Sequence, residues 1–511
     1  MWVYIMERLC KPEFKDLSSF SSVGGAPVLR TLWDRFDLSL VLSQSGIFKV
    51  RGVATWILAF IYVVGLIHRC PSVNALSTFF NADNLLQRIT GIQKVTQSAL
   101  SRFLTGFPQW DTFNQKRTSR LQEDPDTALR DGDVLALDDT HAPHPYAKEI
   151  PFLYWLYDSS TKVYTWAMNI VVLHAIRSNG VEYPWSYAIW TKPENDADKT
   201  RSKLELAWQM LQTVREQVTC RLWVVMDRWY FCKSFLVQCE SANFDWVTKA
   251  KRNTQLFRRM VEPGTGRERF VPIRPKDLIR EVYPRLMAQT HVDVASIACE
   301  NIYMKMPQTT VRRGEPCTKQ KYTRIAAVVG KRMKPENDKA TAEPNELLNP
   351  DDPVETDEVA VEYKGAYLLI SNRYDAPSEV MGAWLKRWRI EVLFRTAKQE
   401  LGMLNCHSPN ENHIHAHMSL LFTAETLIRY IAWEQKTAGE EDCTHGQVIR
   451  NLLCIRCRTR QAVRRNETGS ITIDLDTPAK PFARLIQKYW PTRLELRWFE
   501  PTHVQILRAT A

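Results

Sequence analysis

Two aspartates that follow short apolar runs are the first residues in this chain that could do chemistry. Asp138 follows the run Val134–Leu137, and Asp227 follows the run Leu222–Met226. In an α/β sheet, ligands and reacting groups gather at the carboxyl ends of such strands. An aspartate at the end of a strand is also a common turn former, so neither residue alone indicates a site.

Glu391 is the third acid of interest, because basic and aromatic residues accompany it at helical spacing. The segment 378–401 is predicted to be one long helix, and it carries four notable residues at i, i+3, i+7 and i+14: Trp384, Arg387, Glu391 and Lys398. At about 100° per residue these four share one narrow stripe. The simpler reading is an exposed face with ion pairs, although such faces seldom include a tryptophan in line with the charges.

Three carboxylates with basic neighbours suit phosphoryl transfer. Their oxygens are the ligands that Mg²⁺ prefers, and two ions about 4 Å apart can generate a hydroxide nucleophile and stabilise a leaving 3′-oxygen. The cations of the stripe would hold DNA phosphates.

The composition favours a polyanionic partner. The 511 residues include 68 Lys and Arg against 57 Asp and Glu, so the net charge is +11. This surplus favours nucleic acid first and an anionic membrane second. With 44% hydrophobic and 24% charged residues, the chain has an ordinary globular composition, which excludes wholesale disorder.

No segment predicts insertion into a membrane or secretion. Val53–Ile67 has fifteen residues without a charge, fewer than the about 18–20 that a spanning helix needs, so we expect a buried core helix. The N-terminal residues lack a signal-peptide pattern, and the eleven cysteines are scattered. These features predict a cytoplasmic protein with reduced thiols.

Changes in sequence texture divide the chain into five segments. Residues 1–125 have helical periodicity, and 126–249 have the alternating strands and helices of an α/β domain. Residues 250–365 are a β-rich interruption that contains an acidic, predicted disordered loop at 336–358. The α/β pattern returns in 366–440, and a basic region predicted to be partly helical occupies 441–511.

Two further motifs allow more than one interpretation. The segment Lys94–Phe103 suits a DNA-recognition helix with Arg102 facing outward, and it equally suits any amphipathic surface helix. A zinc site is the second possibility, but a structural zinc site usually needs two well-spaced ligand pairs. Its candidate ligands are Cys454, Cys457, Cys406, His407, His413, His415 and His417.

No phosphate-binding glycine motif is present, which argues against an ATPase. His141 and His144 are interpreted as loop residues or phosphate contacts.

The stripe resembles the catalytic helix of bacterial insertion-sequence DDE transposases, in the family defined by Tyr-x2-Arg-x3-Glu-x6-Lys. Here the helix reads WLKRWRIEVLFRTAKQELGM, with Trp384 where the family has Tyr. An indole offers an N–H and a stacking face, whereas a phenol can bond a phosphate oxygen through its hydroxyl. The segments LALDDT and VVMDRWY are similar to those that carry the first two acids in this family. The resemblance covers about residues 133–433.

The resemblance implies a ribonuclease-H-like catalytic domain interrupted by a β-rich insertion, with a helical N-terminal DNA-binding domain. It implies that Asp138, Asp227 and Glu391 bind Mg²⁺, with Mn²⁺ able to substitute and Asp139 as the alternative first acid. Arg387 and Lys398 would contact phosphates of the transposon end. Family members can form DNA hairpins, in which an aromatic residue holds a flipped base, and Tyr367 is the candidate here.

The implied activity is cut-and-paste transposition. The enzyme would cut double-stranded DNA at terminal inverted repeats and join the 3′ ends to target DNA, as a homodimer in a synaptic complex at the bacterial nucleoid. Two alternatives stay open: a catalytically silent or domesticated relative that only binds DNA, and a ribonuclease-H-like nuclease without strand transfer.

Overall fold

Helices dominate the chain before residue 125. The computed structural model describes residues 19–158, 162–192, 201–262, 266–312, 315–333, 365–439, 443–464 and 467–476, together with a few isolated residues and short strands. Within this part, two short strands, β1 (Glu13–Phe14) and β2 (Ser19–Ser21), are followed by α1 (Ala26–Arg35), α2 (Leu38–Gln44), α3 (Thr55–Ile67), α4 (Val73–Ala82), α5 (Asn84–Thr90), α6 (Gln97–Thr105) and α7 (Trp110–Glu123).

The apolar run at residues 53–67 forms the core of this helical part. α3 is buried along nearly its whole length, as predicted for a stretch too short to span a bilayer. Phe60 packs edge-on against Trp33 of α1, with ring centroids 5.5 Å apart. No helix in the described ranges has the length and apolar composition needed to cross a membrane.

A nine-stranded sheet occupies the centre of the structure. Its strands are β3 (Val134–Pro143), β4 (Tyr154–Asp158), β5 (Val163–Ile176), β6 (Glu182–Trp190), β7 (Leu222–Met226), β8 (Phe244–Lys249), β11 (Val294–Cys299), β14 (Ala326–Arg332) and β15 (Ala366–Ser371). Their order is β11-β14-β15-β8-β7-β3-β5-β4, and β6 also pairs with β5. β7 is parallel to both β3 and β8, and the other pairs are antiparallel. The mixed α/β class predicted from the sequence is therefore confirmed.

Local sequence explains how the central strands form. Every residue of β7 is buried, as expected for a parallel strand covered on both faces. Asn179 and Gly180 form the predicted turn between β5 and β6, where the glycine has a φ of 93°, a conformation that costs other residues energy.

The remaining helices of the described residues pack against the central sheet or against one another. They are α8 (Lys203–Gln217), α9 (Lys233–Ser241), α10 (Pro275–Met287), α11 (Pro377–Leu385), α12 (Trp388–Gln399), α13 (Glu411–Thr437) and the short α14 (His445–Val448). α8 begins with a capping box, in which Ser202 and Glu205 each accept a backbone N–H of the other. α13 is buried along most of its length and packs against β6, α3, α6 and α7.

The predicted helix 378–401 is two helices, α11 and α12. The backbone N–H groups of Lys386 and Arg387 bond to carbonyls three residues earlier, as in a 3₁₀ turn. Arg387 therefore stands at the N-terminal cap of α12, and Glu391 lies in the first turn of that helix.

The segment between β8 and β15 divides between two sheets. Strands β9 (Leu256–Val261), β10 (Glu268–Ile273), β12 (Ile302–Arg312) and β13 (Glu315–Arg324) form a separate antiparallel sheet in the order β10-β9-β12-β13. β11 and β14 extend the central sheet instead, because β14 pairs with β15 from Ala326 to Lys331. The predicted insertion 250–365 therefore shares the central sheet. The acidic run 336–358 lies outside the described residues.

The C-terminal region is mainly β-structure in its described part, which corrects the helical prediction. β16 (Cys457–Arg464), β17 (Glu467–Asp476), β18 (Glu495–Phe499) and β19 (Ile506–Leu507) join β1 and β2 in a six-stranded sheet. The alternation of Ile471, Thr472 and Ile473 is the strand pattern that the helical interpretation overlooked.

Candidate active site

Strand register brings Asp138 and Asp227 to neighbouring positions. β3 and β7 pair in parallel up to Leu137 and Met226, so each aspartate is the next residue on its own strand. Neighbouring strands lie about 4.8 Å apart. β3 does not end at Asp138, as the sequence suggested, but continues to Pro143 beyond the end of this pairing.

The same register adds a lysine to the row. β7 and β8 pair in parallel up to Met226 and Thr248, which puts Lys249 beside Asp227. Burial lowers the pKa of Lys249, as does the nearby charge of Arg387, while Asp227 and Glu391 act in the opposite direction. Asp138, Asp227 and Lys249 therefore line one edge of three parallel strands.

Arg387 connects this edge to the helix α12. One guanidinium nitrogen, Nη1, donates to Oδ2 of Asp138 at 3.1 Å, and the other, Nη2, donates to Oε1 of Glu391. The exposed fractions of these side chains are 15% for Arg387, 20% for Asp138 and 26% for Glu391. A single cation therefore lies between an acid of the sheet and the acid of the helix.

Burial, more than the neighbouring charges, shifts the pKa of Asp138. Burial raises the pKa of this carboxyl to about 8; Arg387 opposes the rise, and Asp139 and Asp227 add to it. A carboxylate in such surroundings is stabilised by a neighbouring cation.

Asp139 projects from the opposite face of the sheet, where three polar groups donate hydrogen bonds to its carboxylate. Its carboxylate accepts hydrogen bonds from Asn169 at 2.7 Å, from Lys203 of α8 at 2.7 Å and from the hydroxyl of Tyr230 at 3.1 Å. Consecutive residues of a strand face opposite sides of the sheet, so only one of the two aspartates can share a pocket with Glu391.

The family to which the chain belongs follows from a sequence comparison. The family model described as "Transposase DDE domain" matches residues 129–427, more than half of the chain. The chain belongs to this family. No curated protein matches it significantly. Among solved structures, the "Cryo-EM structure of piggyBac transposase synaptic complex with hairpin DNA" is similar over 84% of this chain and 79% of that chain, with 12% identity and a TM-score of 0.39.

The acids of this DDE transposase fit a hard divalent cation. Members of the family generally use divalent metals, and carboxylate oxygens are suitable ligands. Asp138 and Glu391 already turn oxygens toward one shared positive group. As the side chains stand, no three His, Cys, Asp or Glu in the described ranges are arranged around a common ion, and Arg387 lies between the two acids.

Trp384 and Tyr367 lie behind Lys249. Trp384 is only 6% exposed, and its ring centroid is 5.5 Å from the Lys249 Nζ atom. The Tyr367 ring lies 5.0 Å from the same atom, and burial raises the pKa of its hydroxyl to about 12. Both aromatic rings therefore pack against the ammonium group of Lys249. A direct DNA contact by Trp384 requires it to become more exposed.

The other two predicted DNA contacts lie further from the acids. Lys398 is on α12, two turns after Glu391; burial lowers its pKa, and the charge of Asp158 at the end of β4 opposes this. Arg102 is exposed on α6, whose buried face consists of Leu100, Phe103 and Leu104. In the described part of the chain, Arg102 forms no hydrogen bond or ion pair with the acidic cluster of Asp138, Asp227 and Glu391.

The suggested zinc ligands are only partly brought together: Cys406, His407, His413 and His417 line one cavity. Cys454 Sγ lies 3.8 Å from Nε2 of His68, and Nδ1 of His417 is 2.9 Å from the hydroxyl of Tyr62. His144 packs edge-on against His407, with ring centroids 5.3 Å apart. Within the described part of the chain, these residues form no group of three that could hold an ion.

Lys249 is a pocket residue that the sequence motifs did not single out. The signal was available, because Lys249 is the last residue of the mostly buried strand β8, just as the two aspartates follow the apolar runs at the start of β3 and in β7. Acids at the ends of strands suggest a metal site. By the same argument, a lysine at the end of a strand suggests a phosphate contact, so Lys249 could have been identified from the sequence.

Proposed function

We propose that this protein is a Mg²⁺-dependent DNA transposase of the YREK-motif insertion-sequence type. It cuts double-stranded DNA at the terminal inverted repeats of its element and joins the 3′ ends to target DNA. The observation that carries the proposal is the convergence of Asp138, Asp227 and Glu391 around Arg387. Three carboxylates that lie close together repel one another, so a bound cation would stabilise their arrangement.

In this proposal the three acids hold the metal, with Mn²⁺ able to substitute for Mg²⁺. A pair of ions held there would supply an activated water and a positive charge for the leaving 3′-oxygen. Asp138, rather than Asp139, is the first acid, because Asp138 shares Arg387 with Glu391 while Asp139 is committed to Lys203.

The chain's own cations bind and orient the DNA. Arg387 is released from the carboxylates as their charge is neutralised, and its planar guanidinium then binds a phosphate of the transposon end through two hydrogen bonds. Lys249 lies beside Asp227 and provides a second positive charge for the cleaved strand. Lys398 extends the positive stripe along α12.

The other segments of the chain bind DNA and support assembly of the complex. The helical segment 1–125 is the DNA-binding domain and presents Arg102 on α6, a ribonuclease-H-like fold carries the acids, and residues 250–365 are the β-rich insertion. The protein acts as a homodimer on paired ends at the bacterial nucleoid. The net charge of +11 supports a DNA partner.

A plasmid assay tests this function. The full-length protein is incubated with Mg²⁺ and a supercoiled plasmid that carries the reading frame with its natural flanks. We expect an excised element and products joined to target DNA, and Glu391→Gln should reduce cleavage at least a thousandfold. Glu379→Gln, at an exposed acid in the first turn of α11, is the matched control.

Other results would contradict the proposal in distinct ways. Specific binding to the flanks without any cleavage would identify a DNA-binding relative. Cleavage that never yields joined products would identify a nuclease without strand transfer.

A further inference from the structure

Four aromatic side chains share one face of the hairpin formed by β4 and β5. Trp155 lies directly opposite Trp166, and Tyr157 lies directly opposite Tyr164. Residues that pair in this way project from the same side of a sheet. The ring centroids are 5.6 Å apart in the tryptophan pair and 5.3 Å apart in the tyrosine pair. We call these four residues the aromatic ladder.

Most of the aromatic ladder is exposed, although the two strands that carry it pair along their length. Trp155 and Tyr164 are each 66% exposed, and Tyr157 is 47% exposed. The fourth ring is held in place, since the Trp166 indole N–H donates to the carbonyl of Ala147 at 3.0 Å. Large aromatic surfaces are normally buried, so a fixed and exposed set indicates a binding surface.

The aromatic ladder lies on the same face of the sheet as Asp138. β5 pairs with β3 through Val172 opposite Asp138, and the alternation of the strand carries that face on to Trp166 and Tyr164. At about 3.3 Å per residue, the ladder begins roughly 20 Å along β5 from Asp138. Asp158, at the end of β4, projects from the other side of the hairpin, and it is there that its charge acts on Lys398 of α12.

We infer that the aromatic ladder binds unpaired nucleotides of the DNA that runs from Asp138 along this face of the sheet. This rests on the proposed function only in taking DNA as the substrate. Successive rungs are two residues apart, about 6.8 Å, while stacked bases rise about 3.4 Å. The two rungs are therefore about two base rises apart. The rings within the rungs are inclined to each other by 51° and 61°, so each exposed ring offers its own face for stacking, and aromatic rings stack on every base type. Lys162, exposed at the start of β5, adds a positive charge for the phosphates.

Binding of a single strand tests this inference without requiring catalysis. Fluorescence anisotropy is measured in EDTA at 150 mM salt with labelled (dT)20 and with a blunt duplex. The triple variant Trp155→Ala, Tyr157→Ala, Tyr164→Ala should bind (dT)20 at least tenfold more weakly, because the loss of even one base stack lowers affinity by about tenfold. The matched triple variant with Phe at all three positions keeps the rings and should stay within threefold of the wild type.

Two controls test whether a loss of binding is specific to the aromatic ladder and to unpaired DNA. All variants should bind the duplex within threefold of the wild type, and Tyr374→Ala, at an aromatic that is 49% exposed elsewhere, should leave (dT)20 binding unchanged. The inference is overturned if the alanine triple variant binds (dT)20 as tightly as the wild type. It is also overturned if that variant loses duplex binding equally, or if only its oligomeric state changes in light scattering. A protein that fails to cleave plasmid can still pass this test, so the two proposals fail separately.

Discussion

The guanidinium of Arg387 joins Asp138, 249 residues earlier in the chain, to Glu391, one helical turn later. This relationship makes Arg387 the internal counter-charge of the acidic cluster. A group that neutralises two acids in the absence of metal must give them up when a divalent cation enters. Stability and metal response should therefore both depend on it.

Removal of the counter-charge is the first test of this idea. Arg387→Gln leaves Asp138 and Glu391 facing each other without a shared cation, so we expect the melting temperature in EDTA to fall by roughly 1–3 °C, equivalent to about 1–2 kcal/mol. Addition of Mg²⁺ should raise the melting temperature more in the variant than in the wild type. Arg395→Gln, at an exposed position of the same helix, serves as control. Equal melting temperatures of variant and wild type in EDTA would show that Arg387 does not have this role.

The two adjacent aspartates should respond differently to substitution. Asp138→Asn should abolish cleavage and leave the protein at least as stable at pH 7, because the folded state already disfavours the charged form of Asp138. Asp139→Asn weakens the contacts with Lys203, Asn169 and Tyr230, so it should lower the free energy of unfolding by about 1–3 kcal/mol. Thermal melting and plasmid cleavage are measured on both. The opposite pattern would make Asp139 the first acid.

Lys249 should matter for DNA more than for folding. Lys249→Met keeps the length and apolar stem of the side chain but removes the charge beside Asp227. We expect at least a tenfold loss of cleavage rate with a melting temperature close to that of the wild type. Lys251→Met is the control, since Lys251 Nζ contacts the carbonyl of Phe231 at 3.4 Å. A cleavage rate unaffected by Lys249→Met would remove this lysine from the mechanism.

Acid should destabilise the protein through His417. This histidine is 2% exposed, and burial lowers its pKa to about 4, below the roughly 6.5 expected in the unfolded chain. The unfolded state therefore binds the extra proton, so the contribution of His417 is complete above pH 6.5 and declines as the pH falls toward 4. At pH 5 the loss is about 2 kcal/mol.

The matching variant isolates that contribution. Denaturant unfolding of His417→Gln should show a smaller loss of stability between pH 7 and pH 5 than the wild type shows. His291→Gln, at an exposed histidine, should follow the wild-type curve. If His417→Gln also follows that curve, the pKa of His417 is not strongly lowered in the folded protein.

The sequence was sufficient to locate Asp138 and Asp227 at the ends of apolar runs, but it could not make them neighbours. Their proximity depends on the parallel pairing of β3 with β7, a contact between distant segments that local periodicity does not encode. The 3₁₀ turn at Lys386 was missed for the same reason, since helical periodicity continues through it. Asp139 could not be separated from Asp138 until the strand showed which face each one occupies.

The most direct test of the metal pocket is cleavage of the chain itself by bound iron. Fe²⁺ replaces Mg²⁺, and ascorbate with peroxide generates radicals that cut the backbone near the ion. We expect cuts near Asp138, Asp227 and Glu391 in one reaction, with excess Mg²⁺ suppressing all three together. Cuts beside only one of these acids, or cuts that Mg²⁺ does not suppress, would contradict a shared metal pocket.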